Sequence, residues 1–87
     1  MNISDVRIRL VPGDNKLKAV ASVTIDEAIV IHDVKILAGE NDVFIAMPSR
    51  KIPSGEYKDV AHPVNAEARN ELVRRVISAY KEAIANA

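Results

Sequence analysis

Residues 44–63 read FIAMPSRKIPSGEYKDVAHP and hold three of the four prolines in this 87-residue chain. An apolar segment at residues 43–47 enters the stretch, and Pro48 ends strand pairing because proline has no backbone N–H to donate. A Pro-Ser-Gly turn follows, and the chain then becomes extended again. The pattern predicts two strand segments joined by a stiff connector, on which Arg50 and Lys51 are exposed.

Upstream of this stretch the chain shows the two-residue alternation of half-buried strands. Val6 and Ile8 alternate with Arg7 and Arg9, which predicts one buried side and one solvent-facing side. Turn-forming residues separate the extended segments at 12–15 (a hairpin loop), 26–27 and 39–42. We therefore expect strands at residues 3–11, 17–25, 29–37, 43–47 and 57–61.

The third segment, residues 29–37, is β-branched and apolar on both of its faces. Strands of this type are typical of sheet centres, where both faces are covered. We therefore expect a central strand that is covered on both sides.

Residues 66–85 change to the period of an amphipathic helix. Asn65 can accept hydrogen bonds from the free N–H groups of the first turn, and Glu67 complements the positive end of the helix dipole. The apolar stripe, flanked by Leu72 and Ala83, consists of Val73, Val76, Ile77, Tyr80 and Ile84. The prediction is one α+β domain over residues 1–87, in which an antiparallel meander of four to five strands precedes a C-terminal helix.

One helix can cover only one face of such a sheet. The simplest cover for the apolar strand at residues 29–37 is a second copy of the chain. Residues 53–60 are separated from the preceding strand by prolines, so they could add a strand to a neighbour. We expect a homodimer formed by sheet extension or strand exchange.

Composition restricts the class of protein. The formal net charge is zero, whereas dedicated non-specific nucleic-acid binders are usually strongly basic. The charge is unevenly distributed, with net +2 in residues 1–25, −4 in residues 26–42 and +2 in residues 43–87.

The chain has no cysteine, no apolar run of membrane-spanning length and no signal-peptide pattern at its start. We expect a cytoplasmic protein without membrane insertion.

Two pairs of residues could suggest catalysis or a metal site, namely His32 with Asp33 and Asp59 with His62. The simpler interpretation is that His32 hydrogen-bonds locally on its strand and that His62 fixes the loop before the helix. The chain also lacks phosphate-loop, nucleophile-elbow and HExxH motifs. We expect no enzyme, no cofactor and no metal, and a metal-dependent enzyme that uses the two histidines remains a remote alternative.

The helix carries the first candidate binding residues: Arg69, Arg74, Arg75 and Lys81. Arginine forks pair well with phosphates and with guanine edges, and a dimer would present two such helices. Glu71 and Arg75 are four residues apart, however, so part of this surface could be ordinary solvated charge. The residues alone leave both interpretations open.

Other basic and aromatic residues are weaker candidates. Arg50 and Lys51 could simply be a charged edge that discourages unwanted strand pairing. Four further cations are expected to face solvent without a binding role: Arg7, Arg9, Lys16 and Lys18. Tyr57 and Tyr80 are few and expected to be buried, so they predict no base-stacking groove.

Several motifs together resemble the stage V sporulation protein G family of septation regulators. They are DVRIR at residues 5–9, ASVTID at 21–26, IHDVK at 31–35 and AMPSRK…PSGEYKDVAHP at 46–63. The similarity extends from Ile3 to about Tyr80. It implies a dimer and a regulator that binds DNA or RNA in sporulation, septation and gene-expression control.

The resemblance also suggests roles for particular residues. It implies that the C-terminal helix contacts nucleic acid and that Arg50 and Lys51, which match the basic pair after Met-Pro-Ser, contact phosphates. The alternative is a protein-interaction module that docks a division or regulatory protein through the sheet edge or the acidic surface of residues 26–42.

Overall fold

A computed structural model describes residues 1–13 and 15–87, so Asp14 of the expected hairpin loop lies outside the described residues. The strands are β1 (Ile3–Leu10), β2 (Leu17–Ile25), β3 (Ile29–Ala38), β4 (Val43–Ala46), β5 (Ser49–Lys51) and β6 (Tyr57–Asp59), and helix α1 spans Ala66–Ala85. The first four strands form an antiparallel sheet in the order β1-β2-β3-β4, while β5 and β6 pair as a second sheet. The predicted α+β class, with a meander followed by a C-terminal helix, is confirmed.

The core lies between one face of the four-stranded sheet and α1. Small and β-branched residues on β2 and β3 allow the helix to approach closely, and Leu72 and Val76 pack from the helix side. The fully enclosed side chains are Ile3, Ala19, Ala21, Val23, Val34, Ile36 and Val76. The helix contacts β1, β4 and β2, so among residues 1–13 and 15–87 no helix covers the opposite face of the sheet.

Helix α1 begins as its sequence predicts. Oδ1 of Asn65 accepts a hydrogen bond from the backbone N–H of Ala68 at 2.7 Å, and Glu67 lies in the first turn. The buried stripe is rotated relative to the prediction, because Leu72 lies at its centre and Ile84 is 48% exposed. Within the described residues, no helix combines the length and hydrophobicity needed to cross a membrane.

Two backbone irregularities shape β3. In the turn after β2, Asp26 and Glu27 both have positive φ values of 54°, and the backbone N–H of Glu27 donates to Oγ of Ser4 at 2.9 Å. Asp33 also has a positive φ of 62°, beside a register shift in the β2–β3 pairing. An irregularity of this kind bends a strand and increases its local twist.

In the single chain, the strand predicted at residues 29–37 is only partly covered, and its expected cover by a second copy stays a prediction. β4 pairs only with residues 35–38 of β3, so the first half of the strand has an unpaired edge. Ile29 is 63% exposed and Val30 is 45% exposed. The short β4 cannot reach this half, because the chain leaves the sheet at Met47 and Pro48.

Arg50 and Lys51 are exposed as predicted, but the predicted connector is wrong, because these residues belong to strand β5. They lie opposite Lys58 and Tyr57 of β6 in a small hairpin. Tyr57, expected to be buried, is 71% exposed because this hairpin lies outside the core. Residues 57–59 therefore pair within their own chain through one edge.

Candidate nucleic-acid interface

The β5–β6 hairpin presents the basic pair on a defined backbone. The backbone N–H of Ile52 donates to the carbonyl of Glu56 at 2.8 Å, and that of Val60 donates to the carbonyl of Pro48 at 2.7 Å. These bonds close the tip and the base of the hairpin. Arg50 and Lys51 are both exposed, so they are held on an ordered strand and can meet a ligand with little loss of backbone entropy.

Arg69 lies in the first part of α1, where the helix meets the base of the hairpin. It lines a cleft of about 280 Å³ with Asp59 of β6 and His62 of the loop before the helix. The floor of this cleft is apolar and includes Met47 and Leu72. A cation so near a helix N-terminus is not stabilised by the helix dipole, so the dipole does not account for Arg69 at this position.

Arg74 and Arg75 are neighbours in sequence but differ in availability. Arg74 is exposed, and among residues 1–13 and 15–87 no partner for its side chain is found. Nη1 of Arg75 donates to the carbonyl oxygen of Ile3 at 2.8 Å in a partly buried position. Arg75 therefore ties the helix to β1, which leaves less of its guanidinium for an external ligand.

Lys81 lies near the other end of the helix and is also engaged. Its Nζ is 3.3 Å from Oδ2 of Asp42, in the turn between β3 and β4. The pKa of Asp42 is lowered mainly by the hydrogen bond from the backbone N–H of Val43, and further by Lys81. Both side chains of this pair are more than half exposed, so the pair is open to exchange with a phosphate.

The candidate residues are spread over the helix and the hairpin instead of being gathered in one compact pocket. At 1.5 Å per residue, Arg69 and Lys81 are about 18 Å apart along the helix axis. The hairpin lies nearer the Arg69 end, because the cleft that contains Arg69 also contains Asp59 of β6, which pairs with Ser49. An extended polyanion suits such a distribution better than a small ligand does.

The two histidines make separate local contacts. Nδ1 of His32 is 3.1 Å from Oγ of Ser22, and Nδ1 of His62 is 3.1 Å from the carbonyl oxygen of Pro63. The carbonyl of Pro63 can only accept, so Nδ1 of His62 donates in this bond. In the part of the chain that the structure describes, no group of three or more His, Asp or Glu side chains could hold a metal ion.

Comparison with known proteins identifies the family. The sequence model of the SpoVG family matches residues 1–82. The chain belongs to the SpoVG family. A curated relative from Heliobacterium modesticaldum, named "Putative septation protein SpoVG", is 52% identical over 87 residues, which cover 100% of this chain and 98% of the relative. Relatives of the same name from Clostridium perfringens (49% identical, 94% of this chain and 91% of the relative) and Lachnospira eligens (51%, 95% and 94%) agree.

Two residues of this SpoVG-family chain were not singled out by the sequence analysis. Lys35 and Phe44 lie on β3 and β4, on the face of the sheet opposite α1. Strand alternation could have placed each of them on that face. Only the cross-strand register shows that Lys35 lies in one row with Arg9, with Val20 between them.

Proposed function

We propose that this SpoVG-family protein is a homodimeric regulator that binds DNA or RNA and acts in septation, sporulation and gene-expression control. It acts in the cytoplasm as a binding protein, without catalytic activity. One observation carries the nucleic-acid part of the proposal. Among the described residues, Arg50, Lys51, Arg69 and Arg74 are exposed and have no side-chain ion pair.

These free cations matter because the chain as a whole has no excess charge. With a formal net charge of zero, attraction to phosphates must come from local positive surface. Each neutralised phosphate releases counterions, so the affinity should fall steeply with salt. Few contacts per protomer give modest affinity, and a dimer raises it by presenting two sets of cations to one nucleic acid.

The dimer is supported by the open half of β3. Its unpaired edge borders a cleft of about 590 Å³, lined by Ile29 and Val30 on one side and by Pro48 and Val60 at the base of the hairpin on the other. Val60 is 65% exposed. An apolar strand edge of this kind is a template for pairing with another strand, and a symmetric second copy would cover both edges at once.

The decisive experiment measures binding to duplex DNA and to RNA by fluorescence anisotropy over a range of salt concentrations. Arg50→Gln and Arg74→Gln should each weaken binding and reduce the slope of log K against log salt by about 0.9 on duplex DNA. Lys81→Gln, which removes the same charge, should have a smaller effect because Lys81 is already paired with Asp42. Wild-type affinity and slope in both arginine variants, with folding intact, would refute the proposed interface.

A second candidate function is a protein-interaction module without intrinsic nucleic-acid binding. The exposed apolar edge at Ile29 and Val30 favours it, because an extended segment of a division protein could add a strand there. In that case the purified protein would be monomeric and would bind no nucleic acid at near-physiological salt. Retained binding at that salt, by a dimer, supports the first function instead.

A further inference from the structure

The side chains of β1–β4 that point away from α1 form what we name the open sheet face. Cross-strand pairing places Arg9, Val20, Lys35 and Ala46 in one row across all four strands. Leu37 and Phe44 form the adjacent pair on β3 and β4. In the part of the chain that the structure describes, α1 packs on the other face, against the buried residues of β2 and β3.

This face is more basic than helix α1. Its strands carry four cations, Arg7, Arg9, Lys18 and Lys35, and two acidic residues, Asp5 and Asp33, and Lys16, just before β2, adds a fifth cation beside Phe44, giving net +3. Asp5 is already paired with Arg7 at 3.1 Å. Helix α1 carries four basic and three acidic residues, net +1, and two of its cations are engaged internally. Charge therefore favours the open sheet face over the helix for a polyanion.

The face also has an exposed aromatic ring. Phe44 is 44% exposed, and Nζ of Lys16 lies 6.0 Å from the ring centroid. Its cross-strand partner Leu37 and the neighbouring Ala46 make the surroundings of the ring apolar. Once the flexible Lys16 side chain moves off the ring, an exposed ring of this kind can stack one base while the neighbouring cations bind the adjoining phosphates.

We propose that the open sheet face binds single-stranded nucleic acid, with a base stacked on Phe44 and the backbone phosphates on Arg9 and Lys16. This inference rests on the proposed nucleic-acid binding and adds a second surface to it, distinct from the helix and hairpin cations. A single strand fits better than a duplex because its bases are free to meet an apolar and aromatic centre. A duplex would use only the cations and would leave Phe44 without a role.

The test uses the full chain, a fluorescent oligouridylate and a hairpin duplex of matching length. An Arg9→Gln, Lys16→Gln double variant should reduce the salt slope for the oligouridylate by about 1.4, from about 0.7 for each lost contact. Phe44→Leu should weaken oligouridylate binding about tenfold with the salt slope unchanged, because only stacking is lost. Leucine keeps an apolar partner for Leu37, and circular dichroism with thermal unfolding confirms that each variant folds. Arg74→Gln is the matched helix control and should lower duplex affinity more than oligouridylate affinity.

The outcomes separate this inference from the proposed function. If the wild type binds the oligouridylate but the double variant and Phe44→Leu bind it equally well, the open sheet face is not the site, although the proposed function stands. If the wild type binds neither probe, the proposed nucleic-acid binding is refuted, and the open sheet face fails as a site with it. Equal displacement of the oligouridylate by a polyglutamate peptide would show charge attraction alone and would overturn the stacking role. NMR shifts at Phe44 and its neighbours on adding oligouridylate would support the proposal.

Discussion

Arg75 is a candidate binding residue in the sequence, but in the structure it holds the fold together. Its charge suggests a phosphate contact, yet its Nη1 donates to the carbonyl of Ile3 across 72 positions of sequence. Arg75→Met keeps the apolar stem and removes the donor, so the partly buried carbonyl loses a charged partner. We expect the free energy of unfolding to fall by about 1–3 kcal/mol.

Urea denaturation followed by circular dichroism measures this loss. Arg74→Met is the matched control, since Arg74 is exposed and its replacement should change stability by no more than about 0.5 kcal/mol. Equal stability of the two variants would show that the bond to Ile3 contributes nothing. If Arg75→Met nevertheless weakened nucleic-acid binding, the loss would come from a direct contact between Arg75 and the nucleic acid.

Asp42 allows a second prediction at the scale of single groups. Its pKa is lowered first by the backbone N–H of Val43 and then by Lys81. A lowered folded-state pKa means that the carboxylate stabilises the fold above the unfolded-state pKa, and that this contribution is lost as the pH falls through the folded-state pKa. In Lys81→Gln, the pKa should rise but stay below the ordinary value, because the bond from Val43 remains.

Carboxyl ¹³C NMR titration follows Asp42 directly. Lys58→Gln removes the same charge from the β5–β6 hairpin and should leave the titration of Asp42 unchanged. If Lys81→Gln gave the wild-type curve, the ion pair at 3.3 Å would not form in solution.

At the scale of elements, the sequence predicted most of the main sheet and the helix but not β5. The main strands have long alternating patterns, whereas Ser49–Lys51 has three polar residues between two prolines, which resembles a turn. Its pairing with β6 depends on contacts across the intervening turn, which a local pattern does not contain.

The rotation of the buried stripe of the helix was likewise not predicted from the sequence. Leu72 is buried in the core between the helix and the sheet, and this packing cannot be derived from the helical period alone.

The N-terminus of α1 gives a testable prediction at this scale. Oδ1 of Asn65 accepts from the N–H of Ala68 at 2.7 Å, so Asn65→Ala should lower the free energy of unfolding by about 1 kcal/mol. Asn65→Asp retains the acceptor and should be at least as stable as the wild type at neutral pH, because its charge complements the helix dipole. Thermal unfolding of both variants measures the difference. Equal losses in the two would mean that the cap is not the cause.

At the scale of the whole molecule, the candidate interface was predictable only in part. The sequence could identify every cation, but not which of them the fold uses internally. Arg75 and Lys81 bind groups that are 72 and 39 residues away in sequence, and no spacing rule predicts such contacts. The grouping of Arg9 with Lys35 likewise depends on the pairing of three strands. A chain with zero net charge can therefore have a basic open sheet face without showing it in its composition.

The same scale decides the proposed dimer. The first half of β3 leaves Ile29 and Val30 exposed beside the cleft that also contains Val60. Val30→Lys would place an ammonium group in the proposed interface, where burial without a partner costs several kcal/mol, so association should weaken by about 100-fold or more. Val64→Lys is the matched control, because Val64 is 85% exposed and does not line this cleft.

Sedimentation velocity over a concentration series distinguishes the outcomes. We expect a dimer for the wild type and for Val64→Lys, and a folded monomer for Val30→Lys. Binding to nucleic acid should then weaken in the monomeric variant although every cation is retained, since only one set of contacts remains. A wild type that sediments as a monomer would refute the proposed dimer. A Val30→Lys variant that stays dimeric would place the contact between copies elsewhere. In a monomeric wild type, the open half of β3 would remain available to a different protein.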